Sequence, residues 1–312
     1  MWTAVALPAE ARGLMTQNTK QRGGAMDKRM ELQKAKLLAA KIRRDIVQMI
    51  DCKGQTGHFG GSCSSADLVA ALYAGKMRFR ADDPAWPARD KFIYSKGHAA
   101  IAQYAAMAET GYFPAGELLT LKRLGTRLQG HPDRTKIPGI EAGTGSLGQG
   151  LSIASGMALA MRLDGLVEGR VFCIIGDGEL NEGQIWEAAM SSASFCLDNL
   201  IAIVDKNGLQ ATGSCRQRLN SEPLPDKWRS FGWCVIEIDG HDMAEIFDAL
   251  DNARAHKGSP CVIIANTVKG KGFAFAEGVA GFHNGLLTPA QYDEALAAIE
   301  KEIRLLTREG GN

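Results

Sequence analysis

Five short runs rich in β-branched or other apolar residues, at 91–95, 171–175, 200–204, 234–238 and 261–267, recur along the chain with helical stretches between them. Strand and helix in alternation build βαβ units, and these build a parallel sheet whose strands are covered on both faces. The expected fold is therefore α/β, a parallel sheet with helices on both faces. The covering helices read as 151–163, 184–195, 243–255 and, near the C-terminus, 290–306. Upstream, Leu32, Ala35, Leu38, Ile42, Ile46 and Ile50 recur every three or four positions with Lys and Arg between them, which marks an amphipathic helix over 31–50. After a glycine-rich break, a second helix is expected over 64–74, with Ser64 or Ser65 able to cap it and Asp67 in its first turn.

The chain has 312 residues, ample for one large domain with a core on both faces of such a sheet. That domain is expected over 26–312, with 1–25 read as a disordered extension and Met26 as an alternative start. Lys and Arg number 36 against 35 Asp and Glu, so the charge balance favours neither nucleic acid nor an anionic membrane as partner. No apolar run approaches the roughly 20 residues of a membrane span, and the N-terminus has neither the basic start nor the long apolar run of a secretory signal. The seven cysteines (Cys52, Cys63, Cys173, Cys196, Cys215, Cys234 and Cys261) are scattered, odd in number and never spaced Cys-x-x-Cys. That pattern argues against a disulfide framework and against a zinc site, and fits a reducing cytoplasm. The charged helix after Pro289 suits either a boundary with a partner or a solvated closing element.

The stretch from Val171 to Gly213 carries the chemistry. An apolar strand runs into Gly176-Asp177-Gly178-Glu179, a helix comes next, and a second apolar strand ends in Asp205-Lys206-Asn207. The two glycines let the backbone turn sharply and approach a ligand, and the start of the helix behind them offers free N–H groups to a diphosphate. Asp177 supplies a carboxylate oxygen at one strand end and Asn207 an amide oxygen at the next. One strand-helix-strand unit brings both to a single ion. Oxygen ligands select a hard cation, Mg²⁺ or Ca²⁺. A Rossmann dinucleotide site is disfavoured, because Asn181 stands where its third glycine would be.

Gly176-Asp177-Gly178 through Asn207 resembles the thiamin-diphosphate motif, and "GDGELNEGQIWEAAMSSASFCLDNLIAIVDKNGLQATG" is similar to transketolases in particular. "TGHFGGSCSSADLVAALY", "DKFIYSKGHAA", "GHPD", "GTGSLGQGLSIASGMALA" and "TVKGKG" resemble transketolase segments in the same order, over nearly all of 31–287. The resemblance implies the thiamin-diphosphate-binding fold, with Asp177, Asn207 and the carbonyl of Leu209 as metal ligands. It places Gly176, Gly178 and Glu179 at the cofactor, with Gly145, Ser146 and Leu147 on a second cofactor loop whose Gly145 and Leu147 backbone lies beside the aminopyrimidine ring.

Of six histidines, four directly follow a glycine: His58, His98, His131 and His241. By the resemblance His58 and His131 face the substrate, His98 faces the diphosphate, and His283 occupies the region of a further active-site histidine, although "GVAGFHNG" departs from the usual pattern there. His241 and His256 read as surface or capping residues. Glu182 and Glu187 read as surface charge from the residues alone; family carboxylates in this region lie at the subunit interface.

Transketolases carry the Glu that activates the pyrimidine in a second α/β domain, and this sequence is about half their length. The resemblance therefore implies a split enzyme. This chain would hold Mg²⁺ and the diphosphate of thiamin diphosphate, and a C-terminal transketolase subunit would bring the pyrimidine-binding domain, in an α2β2 assembly. The reaction expected is transfer of a two-carbon ketol unit between sugar phosphates. Other thiamin-dependent subunits, of the 2-oxo acid dehydrogenase or deoxyxylulose-phosphate synthase type, share the metal motif. A non-catalytic binding protein on the same fold is the alternative from another class. The glycine-histidine segments favour transketolase.

Overall fold

The computed structural model describes residues 9–51 and 53–310, with side chains from 27 onward. The extension expected over 1–25 lies outside the residues whose side chains are described. Helix α1 spans Ala9–Met49. Its stripe of Ala35, Ile42 and Ile46, continued by Ile50 just past its end, is fully buried, as the three-to-four periodicity requires.

The helix expected over 64–74 is two short helices, α2 (Phe59–Ser64) and α3 (Ala66–Ala71), succeeded by a π turn over Leu72–Lys76. Ser64 therefore ends α2 and Ser65 stands at the junction before α3, and neither caps through its side chain. Ser64 Oγ donates to Asp205 Oδ2 at 2.7 Å and Ser65 Oγ to the Gly61 carbonyl at 2.9 Å. Asp67 does lie in the first turn, that of α3, where it is also buried against Arg43 and His241.

The remaining elements alternate as expected. They are β1 (Lys91–Tyr94), α4 (Ala100–Glu109), α5 (Gln149–Leu163), β2 (Val171–Gly176), α6 (Gly183–Ser194) and β3 (Leu200–Lys206). A small hairpin, β4 (Leu209–Gln210) and β5 (Gly213–Ser214), then precedes α7 (Cys215–Arg218), α8 (Leu224–Ser230), β6 (Cys234–Asp239), α9 (Met243–Ala255), β7 (Cys261–Asn266) and α10 (Pro289–Gly310). The main sheet is parallel throughout, in the order β1-β2-β3-β7-β6.

Alternate residues of each strand feed opposite cores. Phe92, Phe172, Ile174, Ile201, Ile203 and Ile263 pack with α1, α4, α9 and α10. Ile93, Cys173, Ile175, Ala202, Val204 and Ile264 pack with α5, α6 and α8. The C-terminal helix is laid along α1, where Gln33 Nε2 donates to the Leu306 carbonyl at 2.7 Å and Ala295 and Ile299 are buried. Among the described residues, no helix is long and apolar enough to cross a membrane.

Candidate active site

The carboxyl ends of the strands open into a cavity of about 410 Å³. Gly176 pairs with Asp205 in the β2–β3 register, so the loops after these two strands lie side by side. Asp177 Oδ1 accepts from the Gly178 N–H at 2.8 Å, and its Oδ2 accepts from the Gly208 N–H across the gap at 2.5 Å. Asn207 Oδ1 accepts from the Leu209 N–H at 3.1 Å. Asp177, Asn207 and Leu209 all line the cavity. Gly176-Asp177 leads into a 3₁₀ turn, Gly178–Asn181, and α6 begins only at Gly183; the first N–H groups at this loop therefore come from a turn rather than an α-helix.

Four histidines converge from separate loops. His58 precedes α2, His98 sits in the turn Gly97–Ala99 after β1, His131 lies on the long connection before α5, and His283 ends the turn Ala280–His283 after β7. Ring centroids are 4.8 Å apart for His58 and His98, 5.3 Å for His58 and His283, 5.2 Å for His98 and His283, and 6.4 Å for His58 and His131. Reciprocal backbone hydrogen bonds between Gly57 and Gly285 tie the His58 and His283 loops together. Gly145 has φ 140°, and a Cβ there would stand 2.8 Å from the His131 ring, so only glycine admits this approach of loop to imidazole.

Charge in the cavity is unbalanced in a particular way. Burial, and then the negative Asp205, push the Asp177 carboxyl up to about 6. Burial, and then the Lys96 charge, bring the Lys269 ammonium down to about 8. Burial, followed by neighbouring imidazoles and lysines, brings His58 down to about 4, and burial followed by Lys269 and Lys96 does the same for His283. His98 is held low by the same causes. Asp177 and Lys269 share this lining, yet neither forms an ion pair among the described residues; a carboxylate and an ammonium left in that state suit a metal and a diphosphate bound together, so the donor set fits the expected cofactor. Lys269 Nζ donates to the Leu209 carbonyl at 3.0 Å and lies 3.1 Å from His283 Nδ1.

Gly145, Leu147, Gly176, Gly178 and Glu179 also line the cavity, while Ser146 is exposed and lies outside the lining. Glu179 accepts from Ser95 Oγ, from the Gly148 N–H at 2.9 Å and from the Gly176 N–H at 3.1 Å. Its carboxylate thereby clamps three loops to one another. Glu182 reaches the cavity wall and Glu187 is exposed on α6. His241 is largely buried: its Nδ1 lies 2.7 Å from Asp67 Oδ2 and its Nε2 accepts from the Val268 N–H at 2.9 Å, a bracing role rather than a surface one.

Sequence reasoning missed the buried pair of Asp205 and Lys96, the latter lining the cavity itself. Lys96 Nζ donates to Asp205 Oδ2 and to the Gly61 carbonyl, and Asp205 also accepts from Ser64, Thr267 and Asn207. Lys96 directly precedes Gly97-His98, and Asp205 stands two residues before Asn207. A charged residue ending an apolar strand was the available signal.

Residues 34–299 match the transketolase family's thiamine diphosphate binding domain. The chain belongs to the transketolase family through that domain. It is 49% identical to the 6-deoxy-6-sulfo-D-fructose transketolase subunit SqwG of Clostridium sp. (strain MSTE9), over 79% of this chain and 89% of that protein. It is 37% identical to an apulose-4-phosphate transketolase subunit of Phocaeicola vulgatus, over 90% of this chain and 99% of that protein. Among solved structures, transketolase from Leishmania mexicana superposes with a TM-score of 0.76 at 29% identity, covering 90% of this chain and 45% of that one.

Proposed function

We propose that this chain is the diphosphate-binding subunit of a two-chain transketolase, moving a two-carbon ketol unit from a ketose phosphate or similarly anionic ketose to an aldose phosphate. The observation that carries this reading is the convergence of His58, His98, His131 and His283 on one cavity beside Asp177 and Asn207. Asp177, Asn207 and the Leu209 carbonyl hold Mg²⁺, and His98 with the loops at Gly176–Glu179 and Gly145–Leu147 holds thiamin diphosphate. When bound, the cofactor supplies the carbanion and electron-sink chemistry. His58, His131 and His283, neutral at physiological pH, hydrogen-bond the sugar hydroxyls and hold a proton where it is needed.

A C-terminal transketolase subunit contributes the pyrimidine pocket and activating Glu, in an α2β2 assembly in the cytoplasm. Support for two chains comes from the relatives named as subunits, which this chain covers almost from end to end. Closed two-fold symmetry is the common arrangement for such assemblies. The test is to assay the purified chain with Mg²⁺, thiamin diphosphate and a panel of anionic ketoses and aldose phosphates, alone and with the candidate partner. Turnover only with both chains is expected. Robust turnover by this chain alone sinks the two-chain reading.

A further inference from the structure

The opposite end of the sheet gathers a different set of ligands. Cys234 opens β6 and Cys261 opens β7, and the parallel register pairs them directly, so both side chains leave the same face. The crossover between these strands is α9, which ends at Ala255; His256 comes next in extended conformation (φ −61°, ψ 144°), and the chain re-enters the sheet at Cys261. One ring nitrogen of His256 and the two thiol sulfurs lie within 4.8 Å of one another. The ring is steadied by Ser259, whose Oγ stands 2.9 Å from Nε2. Asp198 Oδ2 accepts from the Gly258 N–H at 3.2 Å and fixes the turn between helix and strand. Cys261 is buried while Cys234 and His256 are half-buried, so the cluster has a path from solvent.

We propose that Cys234, His256 and Cys261 form a binding site for a soft divalent cation of the zinc type, separate from the cofactor cavity. Two thiolates and an imidazole are a zinc donor set, and a solvent molecule completes the tetrahedron. With Zn–S near 2.3 Å, tetrahedral sulfurs stand roughly 3.8 Å apart, so the present spread needs to contract by at most about 1 Å. Two thiolates neutralise the ion, and the metal displaces their protons on binding. A hard cation such as Mg²⁺ has no oxygen ligand among these three and is excluded. The site needs no Cys-x-x-Cys spacing, because sheet register does the work that local spacing does in a zinc finger.

The experiment uses the whole chain, stripped of metal in a non-chelating reductant and titrated with Co²⁺. A thiolate-to-cobalt charge-transfer band should rise to saturation at one equivalent, persist in excess Mg²⁺, and disappear as Zn²⁺ is added. Cys234→Ser and Cys261→Ser should each lose the band. His256→Ala, at a half-buried position just after α9, should weaken Co²⁺ binding by about tenfold or more. A titration without the band overturns the proposal, as does a band that survives in both cysteine variants and so belongs to another thiol.

Discussion

Each end of the parallel sheet buries a carboxylate, Asp90 at one and Asp177 at the other, and the two are satisfied in opposite ways. At the amino end, Asp90 is fully enclosed: it accepts from the Arg78 N–H at 2.9 Å, the Arg170 N–H at 2.9 Å and Arg254 Nη2 at 2.6 Å, with Arg78 Nη2 at 3.1 Å. Every lone pair there has a donor from the chain itself. At the carboxyl end, Asp177 accepts from the Gly178 and Gly208 N–H groups and touches Cys215, but forms no ion pair with a Lys or Arg among the described residues, and the Asp205 carboxylate stands near it, while Lys269 is pressed toward neutrality. A self-satisfied cluster stabilises the fold; an unbalanced one awaits a ligand.

Removing each carboxylate should separate stability from binding. Asp90→Ala strands the Arg254 and Arg78 charges and two backbone donors, and should cost about 3–5 kcal/mol in denaturant melts. Its cofactor affinity, measured on the folded fraction, should be unchanged. Asp177→Ala should reverse the pattern: Mg²⁺-dependent thiamin diphosphate affinity, measured calorimetrically with the partner present, should fall by about a hundredfold or more with no loss of melting stability. If Asp177→Ala destabilised the fold as much as Asp90→Ala does, the contrast between the two ends would be false.

Within the cavity, His58→Ala and His131→Ala should each lower kcat/KM for the ketose by about tenfold, the worth of a hydrogen bond to substrate, with cofactor affinity nearly unchanged. Equal losses in both quantities would reassign these imidazoles to the cofactor.

The smallest effect is on the acid limb of stability. His58 and His283 titrate near 4 in the fold against an ordinary 6.5, so the unfolded chain binds more protons between these values. Their contribution is fully present above about 6.5 and is lost as pH falls toward 4. Denaturation midpoints should therefore fall less steeply over this window in His58→Gln or His283→Gln than in the unsubstituted chain. Parallel curves would remove the assignment.

Much of the fold is legible in the sequence because it is local. Alternation of apolar strands and amphipathic helices marks every strand of the main sheet to within two residues, and Met243–Ala255 is reproduced at both ends. The second helix misleads because Ser64 and Ser65 are residues that cap helices, and only burial against Asp205 and Gly61 turns their hydroxyls to other partners, while Asp67 keeps its first-turn place. Asp177 and Asn207 are legible because one βαβ unit joins them.

By itself, then, the sequence determined the strand-helix alternation, the glycines at the strand ends and the oxygen donors within one βαβ unit, since short-range sterics and hydrophobic period act over a few residues. Tertiary structure alone decided what meets across the sheet. Placing β7 between β3 and β6 brings the loop carrying Lys269 and His283 beside Leu209 and His58, while the β6–β7 register sets Cys234 against Cys261. Strand order is fixed by the packing of two whole faces at once, and no local pattern encodes it.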